Sequence, residues 1–298
     1  MQADLLLASI GFGLVTASIL AIAAVGFTMQ YAITNILNIA YGDIMTACAF
    51  AAYLLNVRGV NIWICMVAGA AFGAVFSLVL NRFVFASFLR KRTPLYGMII
   101  VSLGIGLIIQ NTLLAVGGPT FFSYSADAGS TVRLGAVQLT ESQLAIMGVA
   151  LLIMAGMHLL LRHTTLGRAM RATASNPALA RASGIRTDRI VDVAWLISGA
   201  LCGVAGVVLV INTASFAAST GSTFLVVIIA AAVLGGVGHA YGAMLGAVTI
   251  GVVTEVSAMV ISPAYKNVVA FVILAIVLLV RPQGILASLR SNEGGQLI

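Results

Sequence analysis

Charge is scarce in this sequence. Only 8% of its 298 residues are Asp, Glu, Lys or Arg, whereas 61% are hydrophobic and the mean hydropathy is +1.13. Soluble domains carry about a quarter charged residues, so this balance excludes an ordinary water-soluble protein, a disordered chain and a collagen-like one. Cysteine is scarce too. Cys48, Cys65 and Cys202 stand in separate apolar runs without a Cys-x-x-Cys pair, which excludes a disulfide framework and a thiolate zinc site and leaves them as small buried hydrophobes. His158 and His163 are five residues apart, off a single helix face, and His239 stands alone beside Tyr241, so no metal site is expected. Catalytic signatures are also missing: there is no GxxxxGK[ST] phosphate loop, no GxSxG or HExxH, and no carboxylate pair at helical spacing. An enzyme is therefore disfavoured against a transporter. Any ATP would be hydrolysed by another chain. The net charge of +7 is too thinly spread for a phosphate-tracking stripe.

What is abundant is apolar sequence in long runs. Crossing about 30 Å of hydrocarbon takes roughly 20 apolar residues in a helix. Such runs fall near 5–31, 36–55, 60–80, 95–116, 142–161, 190–212, 224–238, 243–260 and 267–280. The expected fold is an all-α integral membrane protein, a polytopic bundle of eight or nine transmembrane helices. The count is open because Asn35, Asn38, Gly42 and Asp43 interrupt the second run and could make it re-entrant or broken near 36–45. The start, Met1-Gln2-Ala3-Asp4, lacks the basic stretch of a secretory signal, so the first span is expected to be retained. Twelve of the 15 cations lie in three segments: Arg82, Arg90, Lys91 and Arg92; Arg162, Arg168, Arg171, Arg181, Arg186 and Arg189; and Arg281 with Arg290. With nine spans all three fall on one side, which the positive-inside rule makes cytoplasmic. The N-terminus is then outside and the C-terminus inside. Topology accounts for the positive charge and removes nucleic acid as a partner.

Glycine is plentiful, with 31 residues. Gly199 and Gly203, Gly69 and Gly73, and Gly238, Gly242 and Gly246 recur every four residues, a spacing that lets helix backbones approach in lipid. Gly235, Gly236, Gly238 and Gly242 crowd one stretch and suggest a tight turn or broken helix over 235–242. Residues 162–189 are the longest polar loop on the inner side. Within it, Asn176 before Pro177 predicts a capped helix start, and Gly184 a left-handed stop. Upstream, Leu166, Ala169, Met170 and Thr173 share one face while Arg168 and Arg171 project elsewhere, as in an amphipathic surface helix. Such a loop could lie on anionic lipid or dock a cytoplasmic partner. Asp43 and Glu255 sit at membrane depth, where ionisable groups are expensive; Glu255 could face a cavity or pair with Lys266. Asp192, three residues after Arg189, is expected to form an ion pair at a helix start.

Three stretches resemble a known family, the LivH-type permeases of bacterial branched-chain amino acid ABC importers. Gly26 to Tyr31 with Leu37 to Asp43 is similar to its GFTLVYG…LNFAHGDL block. Leu166-Gly167-Arg168-Ala169-Met170-Arg171-Ala172, Asn176-Pro177 and Ala182-Ser183-Gly184-Ile185 resemble its LGRAIRA…NP…A…GI coupling loop. Leu234 to Gly238, Tyr241-Gly242-Ala243 and Leu245-Gly246-Ala247 match its LGGxGxxxGAxxG element. Tyr41 stands where a His is usual, and Ala178 where many members have Glu. The resemblance covers essentially the whole chain. It implies one permease domain over 1–298 in the bacterial cytoplasmic (inner) membrane, with 162–189 as a cytoplasmic coupling loop. Leu166, Gly167, Arg168, Arg171, Asn176, Pro177, Ala180, Arg181, Gly184 and Ile185 would then couple to ATPases. Asn35, Asn38, Tyr41, Asp43 and Glu255 are candidates for the substrate pathway. The implied partners are a second, LivM-like permease, two ABC ATPase subunits that use ATP and Mg, and an external solute-binding protein, with no cofactor on this chain. The solute would be a branched-chain or related hydrophobic amino acid or a similar small polar solute; family members also carry urea, amides and aromatic acids. The alternative is an ion-coupled secondary carrier using Asp43 and Glu255.

Overall fold

The computed structural model describes residues 2–91, 93–125, 129–134 and 137–280. Arg92, Arg281 and Arg290 lie outside the described residues, as do the side chains of Arg90 and Arg133. Helices dominate, because a chain in hydrocarbon must satisfy every backbone N–H and C=O within its own segment. They are α1 (Gln2–Thr34), α2 (Tyr41–Asn56), α3 (Ile62–Leu80), α4 (Ala86–Arg90), α5 (Leu95–Gly117), α6 (Glu141–His163), α7 (Thr165–Ser175), α8 (Pro177–Ala182), α9 (Thr187–Thr213), α10 (Thr220–Gly235), α11 (Ala240–Val260) and α12 (Lys266–Val280). A five-residue π-helical turn, Asn81–Phe85, joins α3 to α4.

Among the described residues, seven helical stretches are long and apolar enough to cross a membrane; α2 and α10, with 16 residues each, are shorter. Both expected interruptions are present. Residues 35–40 separate α1 from α2, and residues 236–239 separate α10 from α11. Sequence reading missed a small antiparallel hairpin: β1 (Thr131–Leu134) pairs with β2 (Val137–Thr140), Thr131 opposite Thr140. Thr140 then starts α6 with a reciprocal cap. Its hydroxyl accepts from the Gln143 amide at 3.3 Å, while Gln143 Oε1 accepts from the Thr140 amide at 3.1 Å.

The described chain forms two compact units. In the unit of residues 29–126 and 152–225, α9 is the most enclosed helix: Ala194, Trp195, Cys202, Ala205, Val207 and Val208 are all fully buried. It packs along α3 by the glycine spacing seen in the sequence. A Cβ on Gly73 would meet the carbonyl oxygen of Gly199, and one on Gly203 that of Gly69. Without a hydrophobic force between helices in lipid, such close backbone approach supplies the van der Waals contact. Gly206 faces the Met45 carbonyl of α2, and Gly221, at the start of α10, faces that of Gly42. Along the second half of α2, Phe50 and Tyr53 join Phe122, Tyr124 and Phe216 in an aromatic cluster, tied by two backbone bonds between Phe122 and Phe216 at 2.8 and 2.9 Å.

In the unit of residues 1–28, 127–151 and 226–298, Gly13 of α1 lies against Val252 of α11, and Gly251 against Ala17. Gly235 and Gly242 face each other's carbonyls across the turn, where Gly236 and Gly238 take φ of +100° and +93°, values that only glycine adopts cheaply.

Candidate functional site

Two polar regions stand out, both in the unit that contains α9. The first is the loop α7–α8. Thr164 caps α7 by accepting from the Gly167 amide at 3.0 Å. Gly167 lies so close to the carbonyls of Leu160 and Leu161 that no side chain fits, which makes a sharp corner out of α6. Arg171 donates to the Leu161 carbonyl, fixing the same corner. Met170 and Thr173 are buried while Arg168 and Arg171 are exposed, as the amphipathic reading expected. Asn176 ends α7 and begins α8: its Oδ1 accepts from the Leu179 amide at 3.0 Å, with Pro177 in the first helical position. Gly184 has φ +85°, the Ile185 amide reaches the Ala180 carbonyl at 3.0 Å, and the Gly184 amide reaches Arg181 at 3.1 Å. These are the crossed bonds of a glycine C-cap, located as the sequence predicts. Ala180 is buried, Leu179 is 64% exposed, and Arg181 donates to Thr187 Oγ1 from Nε at 3.1 Å and Nη2 at 2.9 Å. The loop thus presents a stiff knob with Leu179, Arg168, Arg186 and Arg189 turned outward.

The second region is the break before α2. Thr34 donates to the Gln30 carbonyl, the exposed Asn35 turns the chain with φ +53°, and Ser102 of α5 holds the segment by accepting from the Ile39 amide at 3.2 Å, its hydroxyl shared between the carbonyls of Ile99 at 2.8 Å and Leu37 at 3.3 Å. Tyr41 donates to the Ser198 carbonyl at 3.4 Å, and Cys202 Sγ donates to the Tyr41 carbonyl at 3.3 Å. Ser198 and Cys202 lie near the middle of the 27-residue α9, so α2 begins at mid-depth in this unit rather than at its edge. The start of α10 is set beside it, with the Gly221 amide donating to Thr46 Oγ1 at 2.9 Å. That is why both helices are short. Polar side chains collect here. Gln30 Oε1 accepts from Ser198, but Gln30 Nε2, both amide atoms of Asn38 and Asp43 Oδ1 are buried without a hydrogen-bond partner among the described residues. Asp43 rests in the space left by Gly106, where a Cβ would strike its Oδ2. Unsatisfied buried polar groups are few in native proteins, so their concentration at one helix break marks it.

Of the residues expected to line a pathway, Asn38, Tyr41 and Asp43 are therefore gathered at the break and Asn35 is at its exposed edge. Glu255 is in the other unit. Its carboxylate accepts from Lys266 Nζ at 2.7 and 2.8 Å and from Thr16 at 2.9 Å, the pairing that was one of its two expected roles. Asp192 departs from expectation. Its partners are Arg82 at 2.8 Å and Asn81 at 2.8 Å, not Arg189, because the π-helical turn lies against α9. The His158 and His163 rings also approach, with centroids 6.3 Å apart; among the described residues no group of three potential ligands surrounds them. Sequence reading passed over Gln30, Ser198 and Ser102, lone polar residues in apolar helices.

Comparison with known proteins agrees with this architecture. The family described as "Branched-chain amino acid transport system / permease component" matches residues 9–278. The high-affinity branched-chain amino acid transport system permease protein LivH of Salmonella typhimurium is 31% identical, over 92% of this chain and 93% of that protein. BraD of Pseudomonas aeruginosa, described likewise, is 32% identical over 92% of this chain and 93% of its own. The ribose import permease protein RbsC of Escherichia coli is 27% identical over 88% and 82%. A chain of PsaBC from Streptococcus pneumoniae, solved in complex with Fab, shares the fold with a TM-score of 0.52 at 15% identity, covering 94% of both chains.

Proposed function

Because the chain belongs to the branched-chain amino acid transport permease family, a family of transport components rather than enzymes, we propose that it is a membrane-crossing subunit of an ATP-driven importer of branched-chain or related hydrophobic amino acids. The observation that carries this is the α7–α8 loop: a rigid, basic, doubly capped projection built on the enclosed helix α9. ATPases that hydrolyse ATP with Mg, in separate chains, would grip that projection. Leu166, Gly167, Arg168 and Arg171 shape and charge its first arm, and Asn176, Pro177, Ala180, Arg181, Gly184 and Ile185 its second. When the ATPase pair closes, the loop moves and the bundle switches between inward and outward access. Asn38, Tyr41 and Asp43 at the mid-depth break would meet the solute's polar groups, with Asn35 at the edge. If the short helices α2 and α10 count as spans, the chain would cross nine times, and the positive-inside rule would then put the N-terminus outside and the loop and C-terminus in the cytoplasm. The remaining partners are a second, LivM-like permease and an external binding protein.

Mass spectrometry of what co-purifies with the tagged chain in mild detergent tests the assembly. Two ATPase chains and a second permease in stoichiometric amounts are expected, and a homo-oligomer without nucleotide-binding chains refutes the reading. Ala180→Pro, which breaks α8 at its buried position, is expected to abolish leucine uptake without loss of membrane insertion. Normal uptake would sink the coupling role.

A further inference from the structure

One stripe of α9 carries Asp192, Trp195, Gly199 and Gly203, at helical spacing. All four meet α3 or its continuation. Gly199 and Gly203 admit the carbonyls of Gly73 and Gly69, and Trp195 lies on Phe85 with ring centroids 4.8 Å apart. Asp192 closes the series: Oδ1 accepts from Asn81 Nδ2 at 2.8 Å, and Oδ2 from Arg82 Nε at 3.0 Å and Nη2 at 2.8 Å. Asn81, Arg82 and Phe85 all belong to the π-helical turn, whose wide bond runs from the Ala86 amide to the Asn81 carbonyl. In a continuous α-helix the adjacent residues Asn81 and Arg82 would diverge by about 100°. Here both side chains reach one carboxylate from within the wider turn. Single π-turns inside helices occur often at functional sites, since they cost backbone geometry that plain packing does not need.

We propose that Asn81, Arg82 and Asp192 form a clasp that positions α3 for transport, so that α8, α9 and α3 move as one body when the coupling loop is pushed. Asp192 sits five residues into α9, and the start of that helix is fixed to α8 through the Arg181 to Thr187 bonds. Force entering at α8 therefore reaches the clasp before it reaches the break at Tyr41, which hangs on Ser198 and Cys202 of the same helix. Without the clasp, the glycine contacts and Trp195 on Phe85 still join the two helices, but the end of α9 nearest α8 is no longer tied to the continuation of α3. As an ion pair alone it is weak, because the Arg82 side chain is 62% exposed. Its value is directional: a two-pronged guanidinium contact and a buried carboxamide fix the register of the two helices.

The inference rests on the coupling role of α8, and the test separates the two. The complex with its partner subunits is reconstituted in liposomes, and radiolabelled leucine imported is divided by ATP hydrolysed. Arg82→Ala and Asp192→Ala are expected to assemble, hydrolyse ATP and lower that ratio by about fivefold or more, the lower end of site-to-site coupling. Arg82→Asp combined with Asp192→Arg restores most of it. Arg82→Lys keeps the charge but loses the fork, gives an intermediate ratio, and serves where the alanine variants do not assemble. Wild-type ratios in the Ala and Lys variants, or a swap no better than its single parents, overturn the clasp. Ala180→Pro is run alongside. If it uncouples and Arg82→Ala does not, the clasp alone fails; if it imports normally, the coupling reading fails and the clasp with it.

Discussion

Replacing Gly199 by alanine adds one methyl group, and the structure says what it meets. The new Cβ would lie on the Gly73 carbonyl oxygen and 2.6 Å from Ser77 Cβ, both on α3. Carbon atoms settle at about 3.5–4.0 Å, so the helices must part by about 1 Å, and a gap of that size forfeits roughly a quarter to a half of each facing contact. Overpacking of this kind costs about 1–3 kcal/mol, a factor of roughly 5–150 in the folded population. The gain from replacing glycine within a helix, about 0.5–1 kcal/mol, offsets only part of it. Gly148 of α6 supplies the contrast, since nothing lies within 4 Å of its added methyl. There only the favourable term remains. The assay is the midpoint of heat-induced loss of the monodisperse peak in mild detergent, which moves roughly 2–4 °C per kcal/mol. Gly199→Ala is expected below wild type and Gly148→Ala at or above it. Adding Gly73→Ala to Gly199→Ala should cost less than the sum, because the helices have already parted. Equal midpoints for Gly199→Ala and Gly148→Ala would refute the claim that backbone contact holds α3 on α9.

Three further expectations follow from single contacts. Asn176→Ala removes the cap of α8, costs about 1 kcal/mol locally and should speed hydrogen exchange at the Leu179 amide while leaving the spans protected; unchanged exchange argues against the cap. Gly106→Ala drives a methyl into Asp43 Oδ2 and should lower the melting midpoint, and Asp43→Ala in the same chain should recover it; no recovery would mean that Asp43 is not the obstacle. Lys266→Ala strips the partner from Glu255, whose side chain is 15% exposed, and should destabilise by about 1–3 kcal/mol, whereas adding Glu255→Gln returns part of that loss. A double variant as unstable as Lys266→Ala would show that the carboxylate charge is not the cause.

Much of this protein is legible along the chain because the relevant physics is local. Apolar run length locates the spans, as α1, α3, α5, α6, α9 and α11 show. The loop 162–189 was readable to the residue: Asn176, Pro177 and Gly184 act on amides and carbonyls within a turn of themselves, so their effect needs no distant partner. The hairpin was not readable, since its four-residue strands are too short for a periodic signal and its partners are set by the turn. Asp192 is a related case. Sequence neighbours offered Arg189, but the π-helical turn, 111 positions away, brought Asn81 and Arg82.

What the sequence by itself determined is the solvent this chain lives in, where its apolar runs lie, the clustering of its cations into three segments and the caps of the loop 162–189. Each depends on composition or on residues a few positions apart. What only the tertiary structure decided is which glycine faces which carbonyl, that α2 and α10 start at mid-depth, and that Gln30, Asn38 and Asp43 are left with polar atoms unsatisfied beside Ser198 and Gly106. Those facts depend on helices far apart in the chain coming within a few ångströms of each other. Close packing in lipid is set by the shapes of both partners, and one strand of sequence carries only one of them.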